Sequence, residues 1–140
     1  IDFFKSINDN FGHECGDRVL SVFARHIQQI VGDRGLVARM GGEEFVVVVP
    51  STHPEEGMLL AENIRKAVAQ LPFTWNQQTF YLTVSIGLGN GTLGSQLLTD
   101  VFNNLMVEAD ECLYRSKNEG RNRTSDRRTG HTVFTESDMA

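Results

Sequence analysis

Hydrophobic positions along this 140-residue chain follow two alternating periods. From Gly16 to Val31 the apolar residues Val19, Leu20, Phe23, Ala24, Ile27, Ile30 and Val31 recur at helical spacing, the stripe of an amphipathic helix. Leu36 to Met40 reads as a strand, followed by Gly41-Gly42 and by the strand Phe45-Val46-Val47-Val48-Val49, which Pro50 stops. Two β-rich runs around a glycine pair predict a hairpin, because glycine tolerates the positive φ of tight turns. A second helix follows. Thr52 and Glu55 have capping-box spacing, Pro54 suits a first helical turn, and Leu60, Ile64, Ala67, Val68 and Leu71 form its buried face. From Phe80 to Leu88 polarity alternates, with Leu82, Val84, Ile86 and Leu88 on one side of a half-buried strand. Residues 89–95 read as a loop, and a third helix turns Phe102, Leu105, Met106, Ala109 and Leu113 inward before ending near Gly120. From Ser125 to Ala140 the chain is polar and aperiodic, which predicts a flexible tail after a domain spanning residues 1–124. There is no internal repeat. Helices interleaved with hairpin strands predict an α+β or mixed α/β layer fold.

Composition narrows the function classes. With 40% hydrophobic residues the chain can build one core and has no room for a second domain. A net charge of −5 makes polymeric DNA or RNA a poor partner, whereas a small phosphorylated ligand needs only a few local donors or a metal. Two cysteines, Cys15 and Cys112, do not make a disulfide framework and fit a reducing compartment. No apolar run approaches the ~18 residues of a membrane span, and the N-terminus has no signal-peptide pattern. The domain reads as cytoplasmic and without direct membrane contact, which leaves open a longer, membrane-anchored parent protein.

Three segments could carry chemistry. In Gly41-Gly42-Glu43-Glu44-Phe45 two glycines leave room for a ligand at the backbone, and two carboxylates follow. Mg²⁺ is held against a triphosphate by such acids, since it prefers oxygen ligands and keeps part of its water. An ordinary turn followed by solvated glutamates is the alternative. Residues 1–17 offer Phe3-Phe4-Lys5 leaving a presumed strand, then Asn8, His13 and Asp17 as polar groups around two glycines; free N–H groups at a helix start can hold phosphate, and a nearby lysine adds charge. An amide with a carboxylate can read a purine; equally, the segment can be a cap, a loop and a solvated lysine. In residues 109–122, Lys117 and Arg121 are four apart and can point the same way on a helix or its fraying end, although cations there also suit the helix dipole without any ligand.

Together these segments resemble the GGDEF family of diguanylate cyclases. The likeness rests on Arg39 ahead of Gly41-Gly42-Glu43-Glu44-Phe45, on the block Asp2-x-Phe4-Lys5-x-Ile7-Asn8-Asp9-x-x-Gly12-His13-x-x-Gly16-Asp17-x-x-Leu20, on Ser85-Ile86-Gly87, and on Ala109-Asp110-x-x-x-Tyr114-x-x-Lys117-x-x-Gly120-Arg121-Asn122. The resemblance implies a fold similar to nucleotide cyclases and polymerase palms: a ferredoxin-like central β-sheet flanked by helices. It implies condensation of two GTP into cyclic di-GMP and two pyrophosphates, with Mg²⁺ or Mn²⁺, across a homodimer interface. It also implies an upstream sensory or regulatory domain. On the matching positions Glu43 would bind metal and act as general base, Glu44 would assist at the metal, and the Ile1 carbonyl would be a third ligand. Phe3 and Phe4 N–H groups would hold phosphates, with Lys5, Lys117 and Arg121 neutralising charge. Asn8 and Asp17 would read guanine, His13 would shape that pocket and Leu20 would line it. Gly41 and Gly42 would admit the substrate.

Two departures stand out. The family carries a metal-binding aspartate immediately before the position of Ile1, at the end of a strand, so the chain is expected to be truncated at that strand. The family's inhibitory Arg-x-x-Asp falls here on Gly32 and Gly35, with Asp33-Arg34 between them, so product inhibition there is expected to be absent. A different class of function, a degenerate module that binds GTP and dimerises without turnover, would usually lose the glycines or the acidic pair, and this chain keeps both.

Overall fold

A computed structural model describes residues 1–50, 53–92 and 94–127. The chain opens with two helices, α1 (Phe4–Phe11) and α2 (His13–Val31), divided at Gly12, whose φ of 92° ends one helix and starts the next. The expected helix from Gly16 therefore begins three residues earlier, and an unexpected short helix precedes it. Phe4 and Ile7 of α1 are buried, and Phe11 packs against the core. On α2 Val19, Leu20, Phe23, Ile27 and Val31 are buried as the stripe required, joined by Cys15.

The expected hairpin follows as β1 (Leu36–Gly41) and β2 (Glu44–Val48), antiparallel, with Arg39 opposite Phe45 and an irregularity between Arg39 and Gly41. Helix α3 (Pro54–Gln70) has proline in its first turn, as expected, while Thr52 of the capping box lies outside the described residues. A second hairpin, β3 (Phe73–Trp75) and β4 (Gln78–Phe80), turns on Asn76 and Gln77, both at positive φ. The long strand expected over residues 80–88 is instead divided between β4 and β5 (Ile86–Leu88). Residues 81–85 keep strand alternation, with Leu82 and Val84 buried, but are held by Asp2, whose N–H donates to the Thr83 carbonyl at 2.9 Å.

Helix α4 (Leu98–Asn118) buries Val101, Cys112 and Ser116 and leaves Phe102 exposed, contrary to the inward position expected for that ring. Gly87 of β5 permits the strand to lie against α4, since a Cβ there would collide with the backbone of Ala109 and Leu113. The final strand, β6 (Thr124–Asp126), pairs in parallel with β5. This corrects the tail expected from Ser125 onward: Thr124, Ser125 and Asp126 are completely buried. Residues 128–140 lie outside the described residues.

The architecture is α+β, its strands arranged as three two-stranded pairs, β1–β2, β3–β4 and β5–β6. One core joins α1, α2 and α3 to Phe73, Leu82 and Val84. No helix among the described residues is long and apolar enough to cross a membrane.

Candidate active site

The β1–β2 turn sets the first part of the site. Gly41 and Gly42 adopt φ of 147° and 52°, which lets the chain reverse and presents Glu43 and Glu44 exposed at the tip. Arg39 Nε donates to the Gly42 carbonyl at 2.9 Å and ties the turn to its strand. The Ile1 nitrogen donates to the Glu43 carbonyl at 3.2 Å, so the chain start and the acidic turn meet across 42 residues.

Phe3 forms the second part. It caps α1 in a left-handed conformation, φ 56° and ψ 31°. The first N–H groups of a helix have no partner within it, so the start of α1 is an anion-binding end. Phe3 is exposed, and the Arg121 guanidinium lies 4.7 Å from its ring centre, a cation–π contact. Lys117 is in the last turn of α4, but Arg121 lies beyond the helix, past Gly120, with its N–H bonded to the Ser116 carbonyl at 2.9 Å. A loop, rather than the shared helical face that their spacing allowed, directs Arg121 to Phe3. Lys5 is exposed on the first turn of α1.

A cleft of about 360 Å³ between α2 and the β1–β2 hairpin forms the third part, with Asp17 and Leu20 in its wall beside Arg39 and Phe45. Asn8 does not line the cleft. Its Oδ1 is buried without a hydrogen-bond partner, and it lies against Gly16, where a Cβ would collide with it. His13 is exposed at the start of α2 and is not part of the cleft wall.

Asp2, absent from the candidate residues, lies buried at the junction of these parts. Its Oδ1 accepts from Ser85 Oγ at 2.6 Å; its Oδ2 accepts from Thr83 Oγ1 at 2.7 Å and from the Asn122 N–H at 3.1 Å. Behind it, Arg65 donates to the Asn122 Oδ1 at 3.1 Å and to both oxygens of Glu62 at 2.8 and 3.1 Å. Thr124 Oγ1 donates to the same Glu62. A signal was available in the alternation of residues 80–88, which turns Thr83 and Ser85 away from Leu82 and Val84 and so implies a polar partner.

No group of three or more His, Cys, Asp or Glu gathers as a metal centre among the described residues. Glu43, Glu44 and the Ile1 carbonyl nevertheless fit Mg²⁺ in kind, since that ion takes one or two carboxylates and completes its shell with phosphate oxygens and water.

Comparison with known proteins agrees with this geometry. Residues 1–123 match the family described as diguanylate cyclase, GGDEF domain. The chain is 71% identical over 133 residues to the probable diguanylate cyclase DgcF of Escherichia coli K12, covering 95% of this chain and 42% of that protein. For the O157:H7 counterpart, at the same identity, the share of the relative is 28%, so the chain spans less than half of either relative. Among solved structures, the active GGEEF domain of a diguanylate cyclase from Vibrio cholerae superposes with a TM-score of 0.69 at 35% identity, over 90% of this chain and 77% of that one. The GGDEF domain of DgcB from Caulobacter crescentus, in complex with c-di-GMP, gives 0.78 at 30% identity, over 90% of this chain and 72% of that one. The chain is a GGDEF domain and belongs to the diguanylate cyclase family.

Proposed function

We propose that the protein carrying this domain is a diguanylate cyclase that joins two GTP molecules into cyclic di-GMP, releasing two pyrophosphates. The observation that supports this most directly is the meeting of the Glu43-Glu44 turn with Ile1, beside Lys117 and one residue pair from the N-terminus of α1. An acidic tip next to an anion-binding helix start suits a triphosphate carried with a divalent cation.

In this reading the Phe3 and Phe4 N–H groups hold the terminal phosphates, and Lys5, Lys117 and Arg121 offset their charge. The guanine enters the α2–hairpin cleft, where Asp17 accepts from the base and Leu20 packs on it; Asn8, outside the cleft wall, reads the base only after its amide turns from Gly16 toward it. Gly41 and Gly42 leave the turn open to the substrate, and His13 closes the base pocket from its rim. Glu43 accepts the proton of the ribose 3′-OH as that oxygen bonds to the α-phosphorus of a second GTP and the bond to pyrophosphate breaks. Mg²⁺ or Mn²⁺, held by Glu43, Glu44 and the Ile1 carbonyl, would lower the charge on the reacting phosphates. Each domain presents one GTP, so a homodimer is required.

The remaining length of the relatives is consistent with an upstream regulatory domain. GTP supply places the site on the cytoplasmic side. Product inhibition through the Gly32–Gly35 segment is absent; there Arg34 donates to the Ile30 and Val31 carbonyls and serves to end α2. The other reading is a module that binds GTP and dimerises without turnover. Chromatography after incubation with GTP and Mg²⁺ separates the two readings. Cyclic di-GMP that vanishes in Glu43→Gln supports the cyclase, and GTP binding without product supports the module.

A further inference from the structure

Three non-glycine residues around the triphosphate side of the site hold left-handed backbones: Phe3 at φ 56°, Arg121 at 64° and Asn122 at 46°. Such conformations are costly for residues with a Cβ and persist only where the surroundings impose them. Here one side chain touches both segments. Asp2 precedes Phe3 in the chain and accepts the Asn122 N–H, while Thr83 and Ser85 hold its other lone pairs. Asp2 is only 5% exposed and accepts two hydrogen bonds at Oδ2 and one at Oδ1. Asn122 is gripped from the far side by Arg65, itself locked to Glu62. The result is a continuous set of hydrogen bonds from α3, through the loop after α4, to the start of α1.

The geometry points to Asp2 as the positioning residue of the triphosphate subsite. It fixes the Phe3 turn and the Arg121-Asn122 turn relative to each other, so that the α1 N–H groups and the Arg121 guanidinium converge on the same phosphates. The Phe3–Arg121 contact at 4.7 Å is the outward sign of that registration. This inference rests on the proposed cyclase reading and adds a residue that touches neither substrate nor metal.

The test is steady-state kinetics on the full-length protein with GTP and Mg²⁺. In Asp2→Asn the negative charge is lost, so the bonds donated by Thr83, Ser85 and the Asn122 N–H are no longer charge-assisted and the hold on that turn weakens. KM for GTP should rise about tenfold while kcat stays within about threefold, because binding of the phosphates is lost rather than the base. Arg121→Ala should raise KM alone, and the double variant should raise it no further, since Asp2 acts through Arg121. Ser85→Ala, which removes one donor but spares the Asn122 bond, should leave KM within about twofold. Multiplying KM effects for Asp2→Asn and Arg121→Ala, or a Ser85→Ala effect as large as that of Asp2→Asn, would overturn the inference. Should Asp2→Asn fail to fold, Asp2→Glu, which keeps the charge but displaces both acceptor oxygens by a methylene, takes its place, and an unchanged KM there overturns it equally. An unsubstituted protein that neither binds GTP nor forms product refutes the cyclase reading itself, and this inference with it.

Discussion

Glu43 and Glu44 differ from other exposed acids of this chain in what lies next to them: a glycine turn and the Ile1 backbone. Glu43→Gln keeps the shape of that turn and removes the proton acceptor. Turnover should fall by about 10²–10⁴-fold with GTP binding retained, measured by product formation and by equilibrium binding in parallel. Asp17 sits in the cleft wall, so Asp17→Ala should cost about 1–3 kcal/mol of GTP binding and narrow the preference for GTP over ATP. The buried thiols make a separate statement. Burial raises the Cys15 and Cys112 pKa above 9.0, so both should resist thiol reagents at pH 8 until the protein unfolds. The stability they contribute is complete below pH 9.0 and is lost as pH rises through the raised values. The acidic turn, Lys117 and Arg121 were all legible as residue types. Asp2 was not, because a lone acid after an apolar residue carries no pattern; only folding delivers Thr83, Ser85 and Asn122 to it.

At the scale of elements, what could be read from sequence follows how each element is stabilised. Helix α2 and the β1–β2 hairpin were legible because apolar periodicity and a glycine pair specify them directly. Helix α1 has eight residues, too few for a convincing stripe, although Phe4, Ile7 and Phe11 are at helical spacing. Strand β6 escaped notice because Thr124, Ser125 and Asp126 are polar and are buried against polar partners: Glu62, Ser116 and Arg115. The Glu62–Arg65 pair is the costliest part of that arrangement, with side chains 3% and 0% exposed. Arg65→Met would leave Glu62 charged in the interior and should destabilise the domain by about 3–5 kcal/mol, read from the denaturant midpoint. In the hairpin, Gly42→Val forces a β-branched residue to φ 52°, a strain of about 1–3 kcal/mol that should also depress turnover by displacing Glu43.

At the scale of the molecule, the α+β class was evident from the alternation of helices and strands, but the pairing of the strands was not. Residues 80–88 read as one strand because side-chain alternation persists where the hydrogen-bond ladder does not; the ladder depends on which backbone lies alongside, and at Thr83 that is Asp2. The three segments that carry the site are far apart in sequence and meet only because α1, the hairpin tip and the loop after α4 converge on one corner of the core. In the proposed mechanism one such corner holds one GTP, so turnover per chain should rise with protein concentration until dimers are saturated; a specific activity independent of concentration in a monomeric protein would contradict the shared active site. The most direct measurement of the central claim is the product itself. Full-length protein incubated with GTP and Mg²⁺ should yield one cyclic di-GMP and two pyrophosphates for every two GTP consumed, and neither in Glu43→Gln. GTP bound tightly by an enforced dimer without any cyclic di-GMP would contradict it.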